Sequence, residues 1–299
     1  MRINEVRTSW TRGDSKVEFD SNIMDQFEKG LYGLVYKEFS IEDFVKHITP
    51  LDKWAFRNYH GSPQKSNNLN TGQNKNFPLI KETVWTAVFT LISKKVKEKT
   101  GIEFKVLQGK VGGQIAVACG TCGTVKTKDA DTGLALKHPD DEYYVPVIAA
   151  ECKGGHACST CHDGIWGQGI RMRQQFPNAL QMLITDCHVT VNSHIPVEAY
   201  SSGIQLTVCE RGENNKEKWL GGIKDKAKKV KAGIITPDNI HYHALNVKTI
   251  ENTINKIVAI LSDKSEEYWL TMNPLQEFSG EYYRESLDNS GLFIAPELR

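Results

Sequence analysis

"VPVIAAECKGGHACSTCHDG", Val145 to Gly164, opens as a buried strand, sets an acid and a lysine two residues apart, and then spells a cysteine pair. Alternate residues of a strand share a face, so Glu151 and Lys153 point the same way while Cys152 points opposite, into the body of the protein. A carboxylate and an ammonium thereby leave a buried strand together. Strand ends meet solvent, and a lone charged pair there is most simply solvated. A second acid at the same point in space would turn the pair into a site.

Two upstream segments can supply that acid: "PDD" at Pro139 to Asp141 and "KDAD" at Lys128 to Asp131. With Tyr143 to Glu151 as one strand, Asp140 sits at its far end, about 25 to 30 Å from Glu151 at roughly 3.3 Å per residue. Asp140 and Asp141 are therefore turn residues within "PDDE". Asp131 instead begins the preceding strand, "DTGLALKH", which runs down to that turn and returns to Glu151. The two acids close the open end of one antiparallel hairpin, with Asp129 as the competitor for Asp131. Two such carboxylates repel one another without a cation, but they form a hard oxygen cage for Mg²⁺ together with waters and phosphate oxygens. A lysine beside that metal can hold a water and stabilise charge building on phosphate. The combination points to phosphodiester hydrolysis.

At these residues the chain resembles the PD-(D/E)xK nuclease superfamily, in its type II restriction endonuclease branch. "KDAD" supplies the first acid, with Ala130 where the motif has proline, and "ECK" supplies the second acid and the lysine. The resemblance spans residues 78–186. It implies an α/β fold with a restriction-endonuclease-like core, a central mixed sheet flanked by helices. It implies Mg²⁺ held by Asp131 and Glu151, Lys153 orienting the attacking water, and in-line attack leaving 5′-phosphate and 3′-hydroxyl ends. A helix before the first core strand can lend a further acid, which is Glu82 in "LIKETVW". A helix after the E-x-K strand carries polar residues near the site and toward DNA: Arg171, Arg173, Gln174 or Gln175 in "GIRMRQQF", followed by the strand "LQMLIT". Cutting both strands at a specific site usually takes one active site per strand, so a two-fold homodimer on double-stranded DNA is expected, with a heterodimer as the other arrangement.

The cysteines read differently. "CGTCG" (Cys119, Cys122) and "CSTCH" (Cys158, Cys161) each have the tight-turn spacing of a zinc knuckle, and two such pairs make a closed, structural four-sulfur Zn²⁺ site. Both pairs emerge from the same open end of the hairpin, because Cys122 precedes Asp131 and Cys158 follows Glu151. The alternatives are a redox C-x-x-C, or His156 and His162 each replacing a cysteine. Cys152, Cys187 and Cys209 read as core residues.

Around this centre, residues 1–62 read as an N-terminal helical region of two or three short helices and 63–77 as a polar linker or loop. Residues 78–299 read as the nuclease domain, with zinc-binding loops and C-terminal DNA-contacting elements. Its first helix is "PLIKETVWTAVFTLISKKVKEKTG", with Pro78 near the start and Gly101 as the stop. Hydrophobic content of 39% with 24% charged residues fits one enlarged globular domain with a real core. A net charge of +1 confines any nucleic-acid surface to a local patch. "KWLGGIKDKAKKVKAG" is that patch, with Lys224, Lys226, Lys228, Lys229 and Lys231 as candidate phosphate contacts, or else a solvated face. "NIHYHALN" (Asn239 to Asn246) has side chains able to read base edges or to make a polar turn. No secretory signal is legible, and the longest apolar run, Val84 to Ile92, is half a membrane crossing, so a cytoplasmic protein without a membrane partner is expected. Two rivals stand beside the restriction enzyme: a zinc-ribbon DNA-binding module without catalysis, and a non-specific repair or phage nuclease on the same core.

Overall fold

The computed structural model describes residues 6, 21–61, 73–108, 114–119, 125–137, 144–153, 167, 169–170, 172–173, 176–186, 206–211 and 228–271. The aromatic-rich segments near the N-terminus form two helices, α1 (Ser21–Tyr36) and α2 (Ile41–Gly61). The second runs straight through Pro50. An interior proline costs about 3 kcal/mol. Ile48, Leu51 and Phe56 are buried on the same helix, each worth about 1.5–3 kcal/mol, and this stripe outweighs the proline.

The third helix, α3 (Gln73–Thr100), begins five residues before Pro78, inside the stretch read as polar linker. Thr83 to Phe89 are buried without a break, almost two full turns, as expected of a helix enclosed by other elements. It touches α1, α2, α4 (Val247–Ser262) and the sheet strands β1 (Lys105–Leu107), β4 (Thr132–Lys137) and β5 (Tyr144–Lys153). Gly101 ends it in the left-handed conformation, with its N–H donating to the Lys97 carbonyl.

The fold is α/β, with a mixed sheet whose main path is β1, β4, β5, β2 (Gln114–Cys119), β3 (Val125–Asp129). Strands β1, β4 and β5 pair antiparallel; β6 (Leu180–Thr185) runs parallel to β5, and β7 (Leu206–Cys209) parallel to β6. "VKTKD", within which "KDAD" begins, is β3 itself. The β4–β5 hairpin has the register the sequence implied, from Thr132 opposite Ala150 to Lys137 opposite Tyr144. Val147 is an extra residue in this ladder, a bulge between the pairs Leu134–Ile148 and Ala135–Pro146. Close by, Gly133 has φ +143, and a Cβ there would collide with the Ile148 carbonyl oxygen, so the hairpin closes only over a glycine.

Beyond the bulge the two faces separate cleanly. Ile148, Ala150 and Cys152 join the large core shared with α1, α2, α3 and α4, whereas Ala149 joins a smaller cluster with Met172, Phe176 and Ala179. The helices at the N-terminus and the sheet thus share one continuous apolar core. Among the described residues no helix is long and apolar enough to cross a membrane.

Candidate active site

Four strand ends converge at one edge of this core: the start of β4 and the exits of β5, β6 and β7. Asp131 immediately precedes β4, and because Thr132 faces Ala150, Asp131 comes opposite Glu151. Its Oδ2 accepts the Cys152 N–H at 2.8 Å, so a side chain continues the ladder where the β4 backbone leaves it. Glu151 Oε2 accepts a hydrogen bond from Lys153 Nζ at 3.0 Å. The Glu151 side chain is 8% exposed and that of Lys153 32%, which sets the pair at the rim of a buried strand. Asp131, Glu151 and Lys153 are therefore brought together.

Glu82 arrives from α3, on the Cys152 side of the hairpin. One turn further along that helix, the Thr86 hydroxyl donates to Thr132 Oγ1 at 3.1 Å, which fixes the helix against the start of β4. The Cys152 thiol is pushed up by burial first, then by the negative charges of Asp131 and Glu82, so it stays a protonated core group. Cys209 is likewise buried, its sulfur 3.7 Å from the Thr185 hydroxyl.

Next to this centre lies a buried ion cluster to which the sequence reading assigned no role. Lys81 Nζ meets Asp186 Oδ1 at 2.7 Å and Glu210 Oε1 at 2.8 Å, and donates to the Lys153 carbonyl at 3.1 Å. Arg211 forks onto Asp52 with two 2.8 Å hydrogen bonds, donates through Nε to Asp186 at 3.0 Å and reaches the His243 carbonyl at 2.7 Å. Tyr242 donates to Asp52, Trp85 Nε1 donates to Glu210 Oε2, and His60 Nε2 lies 3.6 Å from Asp186. The Arg211 guanidinium also lies 4.8 Å from the centre of the Phe56 ring.

Burial acts on these groups in opposite directions. Burial alone would raise Asp186, but Lys81 and Arg211 overcome it and hold the carboxyl well below the usual range. Burial dominates at Glu210, which is pushed up to about 7 despite the same two cations. Between about pH 4.5 and 7 the folded chain keeps the Glu210 proton that the unfolded chain has lost, so this group's contribution to stability falls as pH rises through that window and is level above it. Glu210→Gln should remove that slope: the stability difference between variant and parent, read from urea melts, should change by a few kcal/mol from pH 4.5 to 7.5. A difference that stays constant with pH would show that Glu210 does not titrate there.

Other expectations fare differently. Arg173 directs Nε and one terminal nitrogen to the Pro177 carbonyl, each at 3.4 Å, closing its own helical turn. In "NIHYHALN", three polar side chains make contacts within the fold. Asn239 bridges Thr236 N and Ile234 O, Tyr242 holds Asp52, and Asn246 caps α4 through Thr249 N. Lys228, Lys229 and Lys231 lie on a helical turn whose Val230 packs with Ile235 and Ile240; Lys228 and Lys231 are exposed and Lys229 half-buried. Cys119 closes β2, whereas Cys122, Cys158, Cys161, His156, His162, Arg171, Gln174, Gln175, Lys224 and Lys226 lie outside the described residues. Among the described residues no cluster of three or more His, Cys, Asp or Glu is arranged to hold a metal ion. Two carboxylates at adjoining strand ends nevertheless suit Mg²⁺, which takes one or two of them and completes its shell with water and phosphate.

Comparison with protein-family models finds no match, and comparison with the curated proteins finds none either.

Proposed function

We propose that the chain is a Mg²⁺-dependent DNA endonuclease with a PD-(D/E)xK centre at Asp131, Glu151 and Lys153. The observation that carries this reading is the hairpin register, which sets two acids and a lysine at one strand exit although Asp131 and Glu151 are twenty residues apart in sequence. The order of elements agrees with the resemblance: α3, then β1, the β4–β5 hairpin, helical residues at 167, 169–170 and 172–173, and β6 parallel to β5.

Asp131 and Glu151 would hold the cation, which when bound neutralises phosphate charge and lowers the pKa of a coordinated water. Lys153 has its ammonium beside Glu151, where it can hold the attacking water and meet charge developing on phosphate. Glu82 would contribute its charge from α3. Lys228 and Lys231, exposed on their turn, would contact the DNA backbone, giving affinity that weakens with salt. Cys119, Cys122, Cys158 and Cys161 would clamp the neighbouring loops on one structural Zn²⁺. A homodimer with one centre per strand would cut both strands.

Digestion of supercoiled plasmid and phage DNA with Mg²⁺, with zinc measured on the same preparation, tests this reading. The expected result is discrete fragments and about one zinc per chain. A smear would indicate a non-specific nuclease on the same core, and a zinc-loaded protein that binds DNA but leaves it intact would replace the nuclease with the zinc-ribbon module.

A further inference from the structure

We propose that Lys81 is a positioning residue for the candidate centre, a three-way clamp that fixes the exit of β5 and with it the Glu151–Lys153 pair. This rests on the nuclease reading for its catalytic consequence, but its geometry stands separately. A lysine ammonium has three N–H donors. Lys81 faces three acceptors, each at the exit of a different parallel strand: the Lys153 carbonyl ending β5, Asp186 just past β6 and Glu210 just past β7. Strands β5 and β7 do not pair with one another, so Lys81 joins two strand exits that the sheet leaves unconnected.

The consequence for Lys153 is specific. The peptide before its Cα lies in the ladder in register with Thr185, one peptide beyond the Cys152 N–H that Asp131 holds, and the peptide after it is held by Lys81 on the Lys153 carbonyl. Fixing both flanking peptides fixes the Cα–Cβ direction, and so the point from which the Lys153 ammonium reaches Glu151. Lys81 is fully enclosed and cannot touch DNA, so it acts only through that backbone. A displacement of about 1 Å at a reacting group can cost on the order of 10²-fold in rate.

Lys81→Met alone would leave Glu210 and Asp186 with only the Arg211 guanidinium between them, and such a variant can fail to fold. Lys81→Met/Glu210→Gln removes one cation and the acid it faces, keeping the buried charge balanced while an amide oxygen still receives Trp85 Nε1. The experiment compares the full-length parent and this double variant by single-turnover plasmid cleavage with Mg²⁺, DNA affinity in Ca²⁺ and amide hydrogen exchange. The expected result is a folded variant whose cleavage rate falls by about 10²-fold while DNA affinity stays within about twofold. Exchange should rise by about tenfold in the peptide ending at Lys153 and remain unchanged in α4. Parental cleavage by the folded double variant overturns the proposal. Should the parent itself leave DNA intact, the nuclease reading fails and exchange decides alone: faster exchange confined to the β5 exit upholds the clamp, and parental exchange there overturns it.

Discussion

Glu151→Gln should reduce Mg²⁺-dependent cleavage by about 10³-fold or more while leaving the fold in place. The substitution keeps the size of the side chain and removes one charge from a position with two roles. Glu151 is one of the two carboxylates proposed to hold the cation, and it orients the Lys153 ammonium at 3.0 Å. A neutral amide is a poorer oxygen ligand and no longer attracts the lysine. The stability cost should be small, about 1 kcal/mol or less, because Lys153 is partly solvated and the pair sits at the rim. Paired measurements of cleavage rate and urea midpoint check both halves of this expectation. A folded variant cutting at the parental rate would sink the assignment of Glu151, whereas an inactive but unfolded one would show that the rim estimate is wrong. Lys153→Ala should follow the same pattern, with its backbone clamp intact because Lys81 binds the carbonyl rather than the side chain.

The part of this centre that sequence could reveal is the part governed by period two. Strand alternation and one turn suffice to bring Asp131 opposite Glu151 and to turn Cys152 inward, and both relations hold in the structure. The helix α3 was legible from its apolar spacing, although its start was not, because Gln73 to Asn76 look like linker residues. The ion cluster was not legible, since its members are far apart in the chain and no local pattern links Asp52 to Arg211 or Tyr242. A faint signal existed. Asp52 interrupts the stripe Ile48, Leu51, Ala55, Phe56, and Lys81 interrupts Phe77, Ile80, Val84, Trp85, so each puts a charge on a face that is otherwise apolar. Asp186 and Glu210 also follow strands directly, a position where charge usually meets water. Here α2 and α3 cover those strand exits, and the charges must find one another instead.

Arg211→Met is the substitution expected to cost the most stability, about 3–5 kcal/mol, because it leaves the buried Asp52 without its cation. Arg211 uses four N–H bonds: two to Asp52, one to Asp186 and one to the His243 carbonyl. Asp186 would keep Lys81, but Asp52 would keep only the Tyr242 hydroxyl among the partners described above. The loss is a large share of the 5–15 kcal/mol by which a domain is typically stable. It is also directional, since Asp52 belongs to α2, Arg211 follows β7 and His243 lies on the approach to α4, so one guanidinium joins the helical layer to the sheet. Arg211→Lys should recover only part of the loss, because a single ammonium cannot reproduce a planar fork. Arg211→Met/Asp52→Leu should recover more than Arg211→Lys if the unpaired Asp52 charge is the main penalty, since the double change removes that charge. Urea melts of the three variants at one pH separate these terms. A single Arg211→Met variant within about 1 kcal/mol of the parent would show that the shared apolar core, rather than the ion cluster, holds α2 to the sheet.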